Sequence, residues 1–239
     1  MSLDTTRPAY VIAFTALVSA AFTAGVMVVQ VSSRGRVQRN EALFKQRALV
    51  QAFDLGDVSK MDGADVAELY EQHIRGPEML KDPETGRDIE TYRATASGGA
   101  AGAGRELGVA FLFSGRGFWD QISGVLALTP DLNRVIGLAI LSQKETPGLG
   151  GRITEPQFQG RFKGLDASPP RDETERFIHI TRAEPAGKQD PRYGRTVDAI
   201  TGATQTSLAL DRLINENLRA FRRALAARQR AGPRPQEEE

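Results

Sequence analysis

The chain has 239 residues, with 31 Lys and Arg against 30 Asp and Glu, two His and no Cys. That length suffices for one large domain or two small ones with a sizeable core, and the formal charge of +1 argues against a nucleic-acid binder working through bulk positive charge. The absence of Cys excludes disulfides, thiolate zinc sites, iron–sulfur clusters, a Cys nucleophile and a lipidated Cys; His73 and His179 alone do not make a His-rich metal centre, so no metal site is expected.

The apolar residues are unevenly spread. After the N-terminal segment 1–9, residues 10–31 (YVIAFTALVSAAFTAGVMVVQV) are apolar or small, with no charge between Arg7 and Arg34. About 20 such residues span a bilayer core as a helix, and Thr15, Ser19 and Thr23 can bond back within it. A cleaved signal peptide has a shorter apolar run and a small-residue cleavage site, whereas here Arg34, Arg36 and Arg39 follow. An uncleaved transmembrane anchor is therefore expected. Counting Lys and Arg alone, the positive-inside tendency puts the following domain in the cytoplasm.

Residues 36–74 form a membrane-proximal helical region, with one helix over 36–55 and a second over 65–74. Residues 75–106, rich in Pro, Gly and charge and including SGGAAGAG at 97–104, read as a flexible insertion. That glycine run lacks the Lys-Ser/Thr ending of a phosphate-binding P-loop. The domain core, 107–228, opens with LGVAFLFS, ISGVLALT and VIGLAILSQ, which read as three strands, the last two a hairpin. FIHIT at 177–181 reads as a fourth strand, with His179 structural or exposed. A helix over about 207–228 carries Leu210, Leu213, Ile214, Leu218, Phe221 and Leu225 on one stripe, and 229–239 reads as a disordered tail. This order predicts an α+β fold with a mostly antiparallel sheet behind a single N-terminal transmembrane helix.

Two segments stand out chemically. In Glu145-Thr146-Pro147-Gly148-Leu149-Gly150-Gly151, Pro147 and Gly148 predict a tight turn, and the later glycines allow close approach of a flat ligand. Asp198 to Ser207 (DAITGATQTS) runs into the last helix. Its Thr and Ser residues are ordinary caps, yet a helix start also suits a phosphate, with Gly202 and Ala203 leaving room. Taken singly, the first is a plain turn and the second a plain cap.

Taken in order, Gly115-x-Gly117-x-Trp119, Glu145 to Gly151 and Asp198-x-x-Thr201-Gly202-Ala203-Thr204 resemble the FMN-binding domain family. Its best-known members are the C subunit of the sodium-translocating NADH:quinone reductase and the G subunit of the Rnf complex. The branch between them stays open. The resemblance implies FMN esterified through its phosphate to Thr204, with Asp198, Thr201, Gly202 and Ala203 around the phosphate and Glu145, Thr146, Gly148, Leu149 and Gly150 lining the flavin. It implies a flavin transferase that delivers FMN from FAD, since a threonine hydroxyl needs activation. It also implies electron relay among other subunits of a membrane electron-transport complex, and a bacterial inner-membrane location with the domain facing away from the cytoplasm, against the Lys/Arg count. No catalytic residue is assigned, and nothing reads as a nicotinamide site, since no G-x-G-x-x-G follows a strand and opens a helix. Trp119 is expected in the core rather than on a flavin. Two other readings compete: a flavinylated domain of another extracytoplasmic reductase or regulator, and a membrane-tethered non-redox binding module in which Thr204 only caps a helix.

Overall fold

The computed structural model describes residues 8–96, 104–172, 175–183 and 185–231. Residues 1–7, most of the 97–104 glycine run and the last eight residues of the expected tail lie outside them. Two compact units divide the chain at Phe44/Lys45.

Pro8 opens one continuous helix, α1 (Pro8–Ala52), where two separate helices are expected from the sequence. Proline is tolerated in the first turn, whose N–H groups have no intrahelical acceptor. Over residues 10–31 the helix is apolar or small around its circumference, and Ile12, Phe14, Leu17, Phe22, Met27 and Val29 are exposed. It is long and apolar enough to cross a membrane. The Thr23 hydroxyl donates to the Ser19 carbonyl at 2.8 Å, so that polar group is satisfied within the helix.

The second unit begins with the last turns of α1, where Leu49, Val50, Ala52 and Phe53 are buried. Helix α2 (Gly63–His73) starts at a capping box. Asp62 accepts from the N–H groups of Ala64 and Asp65, and the Asp65 carboxylate accepts from the Asp62 N–H. Five antiparallel strands follow in sequential order: β1 (Ile74–Lys81), β2 (Asp88–Thr95), β3 (Glu106–Arg116), β4 (Gln121–Leu128) and β5 (Val135–Ser142).

The first two strands fall in the segment whose composition reads as a flexible insertion, and that expectation is corrected. Each contributes few side chains to the core, chiefly Leu80 and Ile89 to one face and Ile74 and Tyr92 to the other. Their charge is spent on cross-strand pairs, such as Arg93 with Glu106 at 3.0 Å. Pro77 is accommodated because β1 is an edge strand with an irregular register between Arg75 and Glu78.

Strands β3 to β5 are covered on both faces, which is why they read as unbroken apolar runs. Phe111, Phe113, Leu126 and Leu138 lie in the cluster under the C-terminal helix α4 (Thr204–Ala231), where the Phe111 and Phe221 rings stack at 4.7 Å. Ala110, Val125, Ala127 and Ala139 lie in the other cluster with Leu49, Phe53 and Val66. Glycines set the spacing on each side. A Cβ on Gly115 would lie 2.1 Å from Leu213 of α4, and one on Gly137 would lie 2.7 Å from the Ala52 carbonyl oxygen.

Beyond β5 come a 3-10 turn (Gly150–Thr154) and a one-turn helix, α3 (Pro156–Gly160). Two three-residue strands, β6 (His179–Thr181) and β7 (Thr196–Asp198), then pair in parallel as a separate small sheet. The expected fourth strand over 177–181 is thus shorter and outside the main sheet. The backbone of and just before β6 is held by α4: Asn215 accepts from the Phe177 N–H at 2.7 Å and donates to the Ile178 carbonyl, and Asp211 accepts from the Ile180 N–H at 2.7 Å. Helix α4 starts three residues earlier than expected and continues through Ala231.

Candidate functional site

Three connections meet at the start of α4. In the first, after β5, Thr146-Pro147-Gly148-Leu149 closes with the Leu149 N–H donating to the Thr146 carbonyl at 3.1 Å, and Gly148 sits at φ +75°. Proline second and a positive-φ glycine third make a type II turn. In the second, Ile200-Thr201-Gly202-Ala203 repeats the plan, with Ala203 N–H to the Ile200 carbonyl at 3.1 Å and Gly202 at φ +83°. The third is the β3–β4 hairpin, closed by the Gly117 N–H on the Asp120 carbonyl at 2.8 Å.

Glu145 fastens these pieces together. Its carboxylate is buried, and Oε1 accepts from the Phe118 and Trp119 N–H groups at 2.9 and 3.0 Å while Oε2 accepts from the Thr206 hydroxyl at 2.8 Å. Both neighbouring glycines are required by it. A Cβ on Gly117 would lie 2.5 Å from Glu145 Oε1, and one on Gly150 would lie 2.4 Å from Thr206 Oγ1. On the exposed side of the hairpin, Lys144 pairs with Asp120 at 2.8 Å. The hydrogen bond to Lys144, helped by the Gln121 N–H, holds the Asp120 carboxyl below its ordinary range.

Above this clamp lies an open cleft of about 290 Å³, lined by Phe118, Trp119, Thr146, Leu149, Gly150, Arg182 and residues 202–206. Thr204 is the first residue of α4, and its side chain is exposed. The first intrahelical bond is Ser207 N–H to the Ala203 carbonyl, so the Thr204, Gln205 and Thr206 N–H groups precede the ladder and are free to bind an anion. Arg182 adds a positive charge to the cleft and enters no hydrogen bond or ion pair among the described residues. Phe118, Trp119 and Leu149 are about half exposed and supply flat apolar surface. An anionic group and an aromatic ring, the two parts of FMN, are both provided for.

Of the residues expected from the sequence, Thr146, Leu149, Gly150, Gly202, Ala203 and Thr204 line this cleft. Glu145 lies behind them, acting on protein groups. Gly148 stands at the tip of its turn with open space around it. Asp198 is exposed at the end of β7, where its carbonyl accepts from Arg161, and Thr201 faces a separate depression beside Arg152 and Arg161. Trp119, expected in the core, is 64% exposed, because the Glu145 carboxylate draws the hairpin backbone inward and turns its side chains out. Phe118, Arg182, Gln205 and Thr206 also line the cleft and are not expected there from the sequence. Phe118 stands inside a recognised motif and Gln205 and Thr206 directly after another, whereas Arg182 follows the short strand β6, which no local motif marks.

Residues 117–219 match the family model for the FMN-binding domain. Along 89% of this chain and 90% of its own length, the C subunit of the Na(+)-translocating NADH-quinone reductase of Pseudomonas aeruginosa is 26% identical. Residues 117–219 thus carry an FMN-binding domain, and the chain is similar to this NqrC subunit. The corresponding subunits of Pasteurella multocida and Neisseria meningitidis are 33% and 37% identical over 44% and 39% of this chain, which is only 38% and 33% of their own lengths. Two crystal structures share the fold: NqrC of Shewanella oneidensis (TM-score 0.58, 20% identity, 77% of this chain and 96% of that one) and the C subunit from Parabacteroides distasonis (TM-score 0.63, 19% identity, 80% and 96%). Both contain the α+β arrangement expected from the sequence, and the matched family segment runs from the β3–β4 hairpin through most of α4.

Proposed function

We propose that this chain is the flavin-carrying C-type subunit of a sodium-translocating NADH:quinone reductase complex, with FMN esterified to Thr204. The observation that carries this reading is the placement of an exposed Thr204 hydroxyl on the first turn of α4, beside three free backbone N–H groups and inside a cleft edged by aromatic side chains. Bound FMN supplies one- and two-electron redox chemistry. The residues of this chain do the holding. The N–H groups of Thr204 to Thr206 and the Arg182 guanidinium bind the phosphate, and Leu149 and the Phe118–Trp119 pair cover the ring and keep water from it. Gly150 and Gly202 keep side chains out of the space, and Glu145 fixes the two walls relative to each other.

Esterification joins the Thr204 oxygen to the FMN phosphorus of FAD and releases AMP, with the hydroxyl proton passing to the flavin transferase that catalyses it. Asp198 and Thr201, which stand outside the cleft, remain available for that transferase to recognise. The apolar part of α1 anchors the chain as a single pass in the bacterial inner membrane, with the domain extracytoplasmic and the other subunits around it. The relatives named above are all C subunits of the sodium pump, which favours that branch over Rnf.

The test is production with and without a flavin transferase, followed by denaturing electrophoresis under ultraviolet light. Flavin fluorescence should travel with the wild-type chain, persist in Thr204→Ser and vanish in Thr204→Ala. A colourless wild-type chain beside an active transferase overturns the covalent reading. Protease digestion of intact spheroplasts tests the orientation, and co-purification of a quinone reductase from native membranes tests the assembly.

A further inference from the structure

Apart from the flavin cleft there is a second and larger one, of about 700 Å³, lined by residues from 166–171, 175–179 and 188–195. Its lining is dominated by polar atoms, unlike an ordinary apolar ligand pocket. Five cations face it, Arg171, Arg176, Lys188, Arg192 and Arg195, against three carboxylates, Asp166, Glu175 and Asp190.

Two of the carboxylates fix guanidinium groups in place, while Glu175 enters no ion pair among the described residues. Asp190 holds Arg192 through two contacts at 2.7 and 3.0 Å, and Arg195 is braced by Ser168 and by Asp166 at 2.9 Å. Arg176 is anchored from behind by the buried Asp211 at 2.6 Å. Arg171 and Lys188 enter no ion pair among the described residues and outnumber the unpaired Glu175, which leaves the cleft lining with a net positive charge. His179 also lines the cleft and is half-buried, and among the described residues its ring has no hydrogen-bond partner. Burial holds this imidazole below its ordinary pKa; Asp211 opposes the shift, and Arg176, Arg192 and Arg195 add to it.

We propose that this cleft is a binding site for a multiply charged phosphate-class anion, a diphosphate or phosphomonoester, gripped by Arg171 and Lys188 over the braced Arg192 and Arg195, with His179 donating to it. Pre-oriented guanidinium forks suit phosphate oxygens, and concavity favours a small anion over a macromolecular surface. The half-buried imidazole gives the site its own reporter. An anion beside it favours the charged ring, so binding must raise the His179 titration midpoint, and the two equilibria are linked.

The probe is inorganic pyrophosphate, titrated by calorimetry into the full chain in detergent at low ionic strength, with His179 followed by NMR. Saturable one-to-one binding is expected, with the His179 midpoint moving up as pyrophosphate is added. Arg171→Ala with Lys188→Ala should weaken binding by about tenfold or more, the scale of lost charge-assisted hydrogen bonds. The same binding is expected in the flavin-loaded chain, whose own phosphate occupies the flavin cleft, which separates the two sites. Absence of saturation, an unmoved His179 midpoint, or sensitivity to Arg182→Ala in place of the Arg171/Lys188 pair overturns the proposal.

Discussion

The buried carboxylate of Glu145 and the buried hydroxyl of Thr206 are joined at 2.8 Å across 61 residues of sequence. One carboxylate oxygen takes the helix start and the other takes the hairpin that carries Phe118 and Trp119. The two sides of the cleft are therefore one hydrogen-bonded unit. Thr206→Val keeps the shape, removes the donor and leaves a buried carboxylate oxygen short of a partner. The expected cost is about 1–3 kcal/mol in denaturant unfolding. Thr206→Ser, which keeps the hydroxyl, should recover most of it.

The glycines of the 145–151 segment should respond to alanine for different reasons. Gly150→Ala places a methyl 2.4 Å from the Thr206 hydroxyl and 3.0 Å from Glu145, so it strains the clamp. Overpacking of this kind costs about 1–3 kcal/mol, and the covalent flavin fraction should fall with it. Gly148→Ala meets open space but must hold φ at +75°. That conformation costs an alanine about 1 kcal/mol, and flavin loading should stay near wild type. Unfolding curves beside absorbance ratios of flavin to protein distinguish the two.

Trp119 is the chain's one tryptophan, so its fluorescence reports the cleft mouth without ambiguity. The Thr204→Ala protein should emit as a solvent-exposed indole, at long wavelength and open to collisional quenching by iodide. In the flavinylated protein the same emission should be strongly reduced, because the ring is held next to it. A blue-shifted, iodide-resistant Trp119 in the flavin-free protein would contradict the exposed hairpin.

Arg182 is exposed, lines the cleft and enters no ion pair among the described residues, so reversing its charge isolates the electrostatic part of flavin capture. Arg182→Glu should change stability by less than about 0.5 kcal/mol, as other surface substitutions do. The fraction of chains carrying flavin at limiting transferase should nevertheless fall well below that of Arg182→Gln, since glutamate repels the incoming phosphate. Equal loading in both variants would remove Arg182 from the site.

What was legible in the sequence follows from how each element is buried. Strands β3 to β5 are covered on both faces and so announce themselves as apolar runs. The stripe on α4 is equally plain, because Leu210, Leu213, Ile214 and Leu218 all face the sheet. Strands β1 and β2 do not announce themselves: their stability comes from backbone pairing and charged cross-strand partners, which leave only Leu80, Ile89 and a few others as a signal. At the site, the turn at Pro147-Gly148 and the helix start at Thr204 could be read from local chemistry. The inward role of Glu145 could not, since its partners Phe118, Trp119 and Thr206 are distant in sequence. Neither could the outward turn of Trp119, which the general tendency of tryptophan to be buried contradicts.

Asp211 gives the fold a pH dependence of known sign. Burial is the largest influence on its carboxyl and raises its pKa above the ordinary 3.8; the Ile180 N–H, Arg176 and His179 oppose this without cancelling it. An acid with a raised pKa in the folded state binds its proton more tightly there than in the unfolded chain. Its favourable contribution is therefore complete below about pH 3.8 and is lost as pH rises through the raised folded value. Asp211→Asn keeps an oxygen to accept the Ile180 N–H but cannot ionise, so it lacks this loss. Its stability relative to wild type should improve as pH is raised from about 3.8 through the raised folded value and level off above it. Thermal or denaturant unfolding of both proteins across that range checks the sign: a difference that is flat, or that moves in favour of wild type, would show that Arg176 outweighs burial at this position.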